Sequence, residues 1–225
     1  MAKKEMSMSK LIFSELSENN LSPLINLVEK GFEIDKWDKM SSGSCTEREQ
    51  EKIKNIQEHL INYQLNLMNE ATIWARAIYP LLLLAESTHI QAWAEVPLSA
   101  QFPHFELEGI VDGVLGKCVA GKIKAPYLVV VEAKRGLEAK NPQFQLYGEM
   151  LAAARLNWQQ TQKTEQEIFG CYTISDSWTF LQGLVKDFED ELPTMTVANS
   201  REYIQRIEAA TIFKILKFMV KQSIN

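Results

Sequence analysis

Residues 126–136, PYLVVVEAKRG, run an apolar strand directly into Glu132, Lys134 and Arg135. Alternate side chains of a strand share a face, so Glu132 and Lys134 point one way and Ala133 the other. In the preceding strand-like run, FELEGIVDGVLG, Glu108, Ile110 and Asp112 likewise share a face. If the two strands are neighbours, Asp112 and Glu132 converge on one cavity with Lys134 beside them. Two converging carboxylates repel each other unless positive charge lies between them. A hard divalent cation suits that position, because Mg²⁺ takes one or two carboxylates together with waters and phosphate oxygens. Plainer readings stand alongside: a solvated strand end before a Gly136 turn, and a turn residue at Asp112 beside Gly113. Against the second, Ile110, Val111, Val114 and Leu115 are core-type residues, and a buried unpaired carboxylate is costly.

The elements that would position these groups follow from pattern. Ser22-Pro23 and Gly31 bracket a short helix over 23–30, and SSGS at 41–44 reads as a joint. Residues 1–45 thus form an N-terminal helical extension, and 46–225 the main domain. Thr46 and Glu49 make a capping box. Beyond it, Ile53, Ile56, Leu60, Tyr63, Leu67, Glu70 and Trp74 fall on one helical face, which places an acid, Glu70, on an apolar stripe. Three strand-like runs follow at 90–98, 105–116 and 126–134, which suggests an antiparallel meander. Asn141-Pro142 starts a helix to about Leu156, 168–175 and 178–185 return to strand, and Asn199 with Glu202 opens a last amphipathic helix. The fold class is α/β.

Gly109-Ile110-Val111-Asp112, Glu132-Ala133-Lys134 and Gln143-Phe144-Gln145-Leu146-Tyr147 together resemble the PD-(D/E)xK nuclease superfamily, closest to its RecB-like branch with G-x-x-D, E-x-K and Q-x-x-x-Y. E-x-K alone carries little information; three motifs in order on strand, strand and helix carry much more. The resemblance implies a restriction-endonuclease-like core: helix, three-strand meander, helix and further strands, with a C-terminal helix. It implies that Asp112, Glu132 and the Ala133 carbonyl hold Mg²⁺, for which Mn²⁺ substitutes, and that Lys134 is the catalytic lysine. Gln143 and Tyr147 would brace the site and contact the substrate strand, and Glu70 matches an acid that many members supply from the helix before the sheet; Glu95 is a weaker candidate of that kind. The activity implied is phosphodiester hydrolysis in nucleic acid, DNA in the first instance. Beside two carboxylates the ammonium form of Lys134 is favoured, so it orients water or stabilises the transition state rather than serving as a neutral base. The iron-sulfur branch needs four cysteines; with three, no cluster is expected.

Composition bounds the rest. The chain has 225 residues, 46% of them hydrophobic, enough for a full core without disulfide or metal staples. Cys45, Cys118 and Cys171 are scattered and odd in number, which fits reduced thiols in a cytoplasmic protein. The charged N-terminus breaks before a signal-like core develops, and Ile78–Ala85 is far below the roughly 20 residues of a membrane span. Net charge is −5, yet seven basic residues face four acidic ones between Gly109 and Trp158, a centre compatible with a polyanion groove. His59, His89 and His104 show no metal-ligand spacing. The final helix, apolar on more than one side, raises a homodimer as an option, although burial in its own core is simpler. An end-processing role would need a helicase or other protein partner. The competing class is a catalytically inactive nuclease-fold protein that binds nucleic acid or a protein; the intact Asp112, Glu132 and Lys134 set speaks against it.

Overall fold

The first departure from these expectations lies at the N-terminus. The computed structural model, which describes residues 9–134 and 141–222, places strand β1 at Ser9–Ile12, helix α1 at Glu18–Leu21, strand β2 at Asn26–Phe32 and helix α2 at Ile34–Ser41. Arg135, Gly136, Glu138 and Lys140 lie outside the described residues. Ser22-Pro23 opens only a single 3-10 turn, Ser22–Leu24, and the expected helix over 23–30 is instead mostly strand. Gly31, with φ of 73°, sits where the strand's pairing with β8 shifts register and does not end a helix. The described residues 9–45 are therefore not a purely helical extension, since β1 and β2 both join the main sheet.

Helix α3 spans Glu47–Ile61 and opens on the expected capping box: Glu49 N–H donates to Thr46 Oγ1 (3.2 Å) and Thr46 N–H to Glu49 Oε2 (2.7 Å). The single long face does not continue. A 3-10 turn at Leu65–Leu67 intervenes, and α4 (Glu70–Ile73) starts afresh with Asn69 as its cap, accepting from Thr72 N–H at 2.8 Å. The chain then passes through a π-helical turn, Trp74–Ile78, into α5 (Tyr79–Leu84). Glu70 is thus the first residue of a helix, not a point on a stripe.

The meander is as expected. Strands β3 (Ile90–Gln101), β4 (Phe105–Val119) and β5 (Lys122–Lys134) pair antiparallel in sequence. Helix α6 (Gln143–Thr161) crosses over to β6 (Glu165–Ile174), which runs parallel to β5, as a parallel pair requires. Strand β7 (Ser177–Lys186) and strand β8 (Thr194–Ile204) continue antiparallel, and α7 (Gln205–Gln222) closes the described chain. The capping box at Asn199 and Glu202 is corrected: both lie in β8, where Ser200 Oγ instead accepts from Phe180 N–H (2.8 Å). The mixed sheet runs β1-β4-β5-β6-β7-β8-β2, with β3 added on β4.

Two cores sandwich this sheet. On one face α2, α3, α5 and α7 bury Trp37, Leu60, Leu81 and Phe213 against Val129, Val131 and Phe180; on the other, α6 buries Leu146, Met150 and Leu151 against Val130, Ile168 and Leu181. The apolar run of α7 is spent inside its own chain, with Ile212, Phe213, Ile215, Leu216, Met219 and Val220 all buried. No described helix is long and apolar enough to cross a membrane.

The buried Gln205 side chain ties the π-helical turn to the sheet, donating to Ala77 O (2.6 Å) and accepting from Trp178 Nε1 (2.8 Å). A π turn offsets the helix's own hydrogen bonding, so an outside donor on its carbonyl is apt. Gln205→Ala would leave two buried polar groups unmatched. A loss of about 2–4 kcal/mol is expected in urea unfolding; a change within experimental error would show that the turn does not depend on this side chain.

Candidate active site

The site begins with a change of face in the sheet. Ile90 and Ala92 of β3 face the α7 side, whereas Val96, Leu98 and Ala100 face the α6 side. Between them Glu95 takes a left-handed φ of 53°. The neighbouring β4 switches likewise, with Leu115 in the first core and Val111 and Leu107 in the second. Asp112 stands at this switch. It also stands at a fork: along one edge β4 pairs with β5 from Gly113 onward and with β1 only up to Glu108. Just past the last β4–β5 pair, the Asp112 Oδ2 atom takes the place of a backbone acceptor and receives the Ala133 N–H at 2.7 Å. The motif thus closes the end of its own ladder.

Glu132 and Lys134 share a face as expected, on the α6 side, while Ala133 joins the opposite core. Glu132 is wholly buried. Lys134 forms an ion pair with its Oε1, and the Glu149 carboxyl also comes within hydrogen-bonding reach of it. Burial first, then the charge of Asp112, pushes the Glu132 carboxyl up to about 7. The Asp112 carboxyl is raised too: burial outweighs the Ala133 N–H and the Lys134 ammonium, which favour its anion. For Lys134, burial works against the ammonium, but Glu132, Asp112 and Glu70 together hold its pKa above the ordinary value. A charged Lys134 is what these surroundings favour.

Sequence reasoning missed a third acid. Glu149 of α6 is wholly buried within hydrogen-bonding reach of Glu132, and Gln145 Nε2 donates to its Oε1 (3.0 Å). Burial, followed by the nearby Glu132, drives its pKa well above the carboxylate range. The available signal was an acid four residues after Gln145 inside GEMLAAA, a run otherwise small and apolar.

On the opposite side from α6, a cavity of about 230 Å³ opens to solvent between Glu70, Trp74, Glu95, Asp112 and Ala133. Both weaker candidates, Glu70 and Glu95, therefore reach the site, while Glu132 lies behind its wall. Burial, then Asp112, raises the pKa of Glu70. The Trp74 ring lies over Gly113 so closely that a Cβ there would stand 2.3 Å from its Cη2, so glycine is what lets the indole form this wall.

Gln143 and Tyr147 do meet, with Gln143 Nε2 donating to the Tyr147 hydroxyl at 2.6 Å. Their common partner, however, is Glu29 of β2: Gln143 Nε2 donates to Glu29 Oε1 at 3.0 Å, and the Tyr147 hydroxyl to the same oxygen at 2.6 Å. Nothing in the sequence near Glu29 marked it. Tyr172, which pairs in register with Glu132 and packs in the same core as Tyr147, links this group to the acids.

Among the described residues no three His, Cys, Asp or Glu side chains form a ready-made metal cage. The donor set nevertheless suits a hard cation. Asp112 and Glu132 lie within hydrogen-bonding reach of each other, and carboxylates can share that space only through a proton or a cation. No protein-family model matches the chain, and no curated protein matches its sequence.

Proposed function

We propose that the protein is a metal-dependent nuclease that hydrolyses phosphodiester bonds in DNA, on a restriction-endonuclease-like core. One observation carries the reading: Asp112, at the wall of an open acidic cavity, crowds against Glu132 of the neighbouring strand, which lies behind that wall and is paired with a charged Lys134. Such crowding raises the free energy of the empty site and is relieved by a divalent cation. Asp112, Glu132 and the Ala133 backbone would hold Mg²⁺ or Mn²⁺, which when bound supplies Lewis-acid neutralisation of charge on the phosphate oxygens.

The chain's own residues have distinct tasks in this reading. The Lys134 ammonium, fixed by Glu132, stabilises charge that grows on the phosphate and orients the attacking water. Asp112, anchored by the Ala133 N–H, keeps its carboxylate in place without reorganisation. Glu70 and Glu95 line the solvent side, where they can order water. Trp74 gives the cavity an apolar wall.

The test is direct. Purified protein is incubated with supercoiled plasmid, linear duplex and single-stranded oligonucleotides in Mg²⁺ or Mn²⁺. Cleavage is expected, and Asp112→Ala and Lys134→Ala are each expected to abolish it. Cleavage that survives both changes removes the site assignment, and binding with no cleavage in either metal would favour a silent nucleic-acid-binding relative.

A further inference from the structure

We propose that Glu29 is an internal stand-in for a substrate phosphate: its carboxylate occupies the two donors at the head of α6 that a nucleic-acid strand must take over. The proposal rests on the nuclease reading above and adds to it a self-blocking contact from the edge of the sheet.

Three observations carry it. First, the geometry is that of anion recognition. A single oxygen, Glu29 Oε1, accepts from both Gln143 Nε2 (3.0 Å) and the Tyr147 hydroxyl (2.6 Å). Both donors sit in the first turns of α6, a helix of 19 residues whose N-terminal end favours negative charge. The Tyr147 ring is wholly buried, so its hydroxyl is aimed rather than free to wander. Burial, then Glu29 itself, raises the pKa of that hydroxyl, so it remains a donor.

Second, the cradle adjoins the acids. Tyr172 stands beside Glu132 on the next strand, about 4.8 Å away by ordinary strand spacing, and packs in the same core as Tyr147. A strand whose scissile phosphate lies near Asp112 and Lys134 would carry another phosphate past this point. Third, Glu29 is held by a segment able to yield. Strand β2 is the last in the sheet order, Glu29 is solvent-exposed, and its pairing with β8 slips between Glu29 and Phe32, where Gly31 adopts φ of 73°. Irregular pairing at a sheet edge is a common neighbour of functional sites.

The experiment is fluorescence anisotropy with a labelled single-stranded oligonucleotide in EDTA, where no cleavage confuses the reading. Glu29→Gln is expected to bind about tenfold more tightly than wild type, the factor a charge-assisted hydrogen bond is worth. Glu29→Asp keeps the charge but falls short of the donors, so it should also bind more tightly. A surface-charge effect would leave Glu29→Asp like wild type and overturn the proposal. Adding Tyr147→Phe to Glu29→Gln should erase the gain; a gain that persists assigns it elsewhere and overturns the proposal as well. If the wild type cuts DNA and Glu29→Gln binds no better, the proposal alone falls. If no form binds the oligonucleotide and none cuts DNA, the nuclease reading falls with it.

Discussion

Taking the metal-free protein from pH 5 to pH 8 is expected to cost it on the order of 3 kcal/mol of stability. The source is Glu132, whose carboxyl moves from 4.5 in the unfolded chain to about 7 in the fold. A group whose folded pKa is raised in this way binds its proton more tightly in the fold. Its penalty is absent below pH 4.5, grows as pH climbs toward 7, and is complete above it. Asp112 and Glu149 are raised in the same direction, so they add to the effect and do not cancel it. Thermal melts in EDTA at the two pH values should differ by roughly 6–12 °C for a chain of this size. Saturating Mg²⁺ or Mn²⁺ should restore much of the difference at pH 8 and little at pH 5, because a cation that binds only the folded state stabilises it where the acids are charged. Glu149→Gln should flatten the metal-free profile. A profile already flat in the wild type would mean that these acids do not press on one another.

Lys134 bears the second large effect. Its ammonium is the cation paired with a wholly buried carboxylate. Lys134→Met removes that charge and leaves Glu132 beside Asp112 with nothing to offset it, a change worth about 3–5 kcal/mol at pH 8. The loss should shrink at pH 5, where Glu132 can hold a proton. Under the proposed function the same change lowers the cleavage rate by roughly 10²–10³-fold, the usual cost of one preorganised charge stabiliser. Lys134→Arg separates the roles, since arginine retains the charge but has no neutral form to act as a base. With metal saturating, a wild-type rate profile showing an essential deprotonation that Lys134→Arg abolishes would overturn the assigned role. Retention of the profile shape in Lys134→Arg would support it.

Local signals were read well where the chemistry that sets them is local. The Thr46 box forms as written, Asn141-Pro142 starts α6, and the strand-like runs of β3, β4 and β5 pair in order, which is what brings Asp112 to Glu132. The failures have long-range causes. NLVEKGF, which follows Ser22-Pro23 and contains Gly31, carries helix punctuation, but its strand partner is β8, near the far end of the described chain. Asn199 and Glu202 have capping-box spacing, yet both are in β8, where Glu202 pairs with Ser177 across the hairpin. Glu70 reaches the cavity as the first residue of α4 and not as a point on the α3 stripe, which breaks at the 3-10 turn between them. Glu149 does not stand out in the helical pattern because α6 is buried on nearly all sides and shows no polar face to contrast with it. Glu29 could not be found at all, since its partners are in a helix that sequence gives no reason to place over β2.

That pairing of β2 with β8 has a consequence in time. During synthesis the residues of β2 emerge early, but their neighbour in the sheet is made only after α6, β6 and β7. Asp112, Glu132 and Lys134 can come together from the meander and its helix well before then. Glu29 settles over Gln143 and Tyr147 only when β8 arrives to dock its strand. The nascent chain therefore assembles its acids first and its guard last, so a ribosome-bound or proteolytically nicked form lacking β8 would carry the open cradle that the finished protein covers.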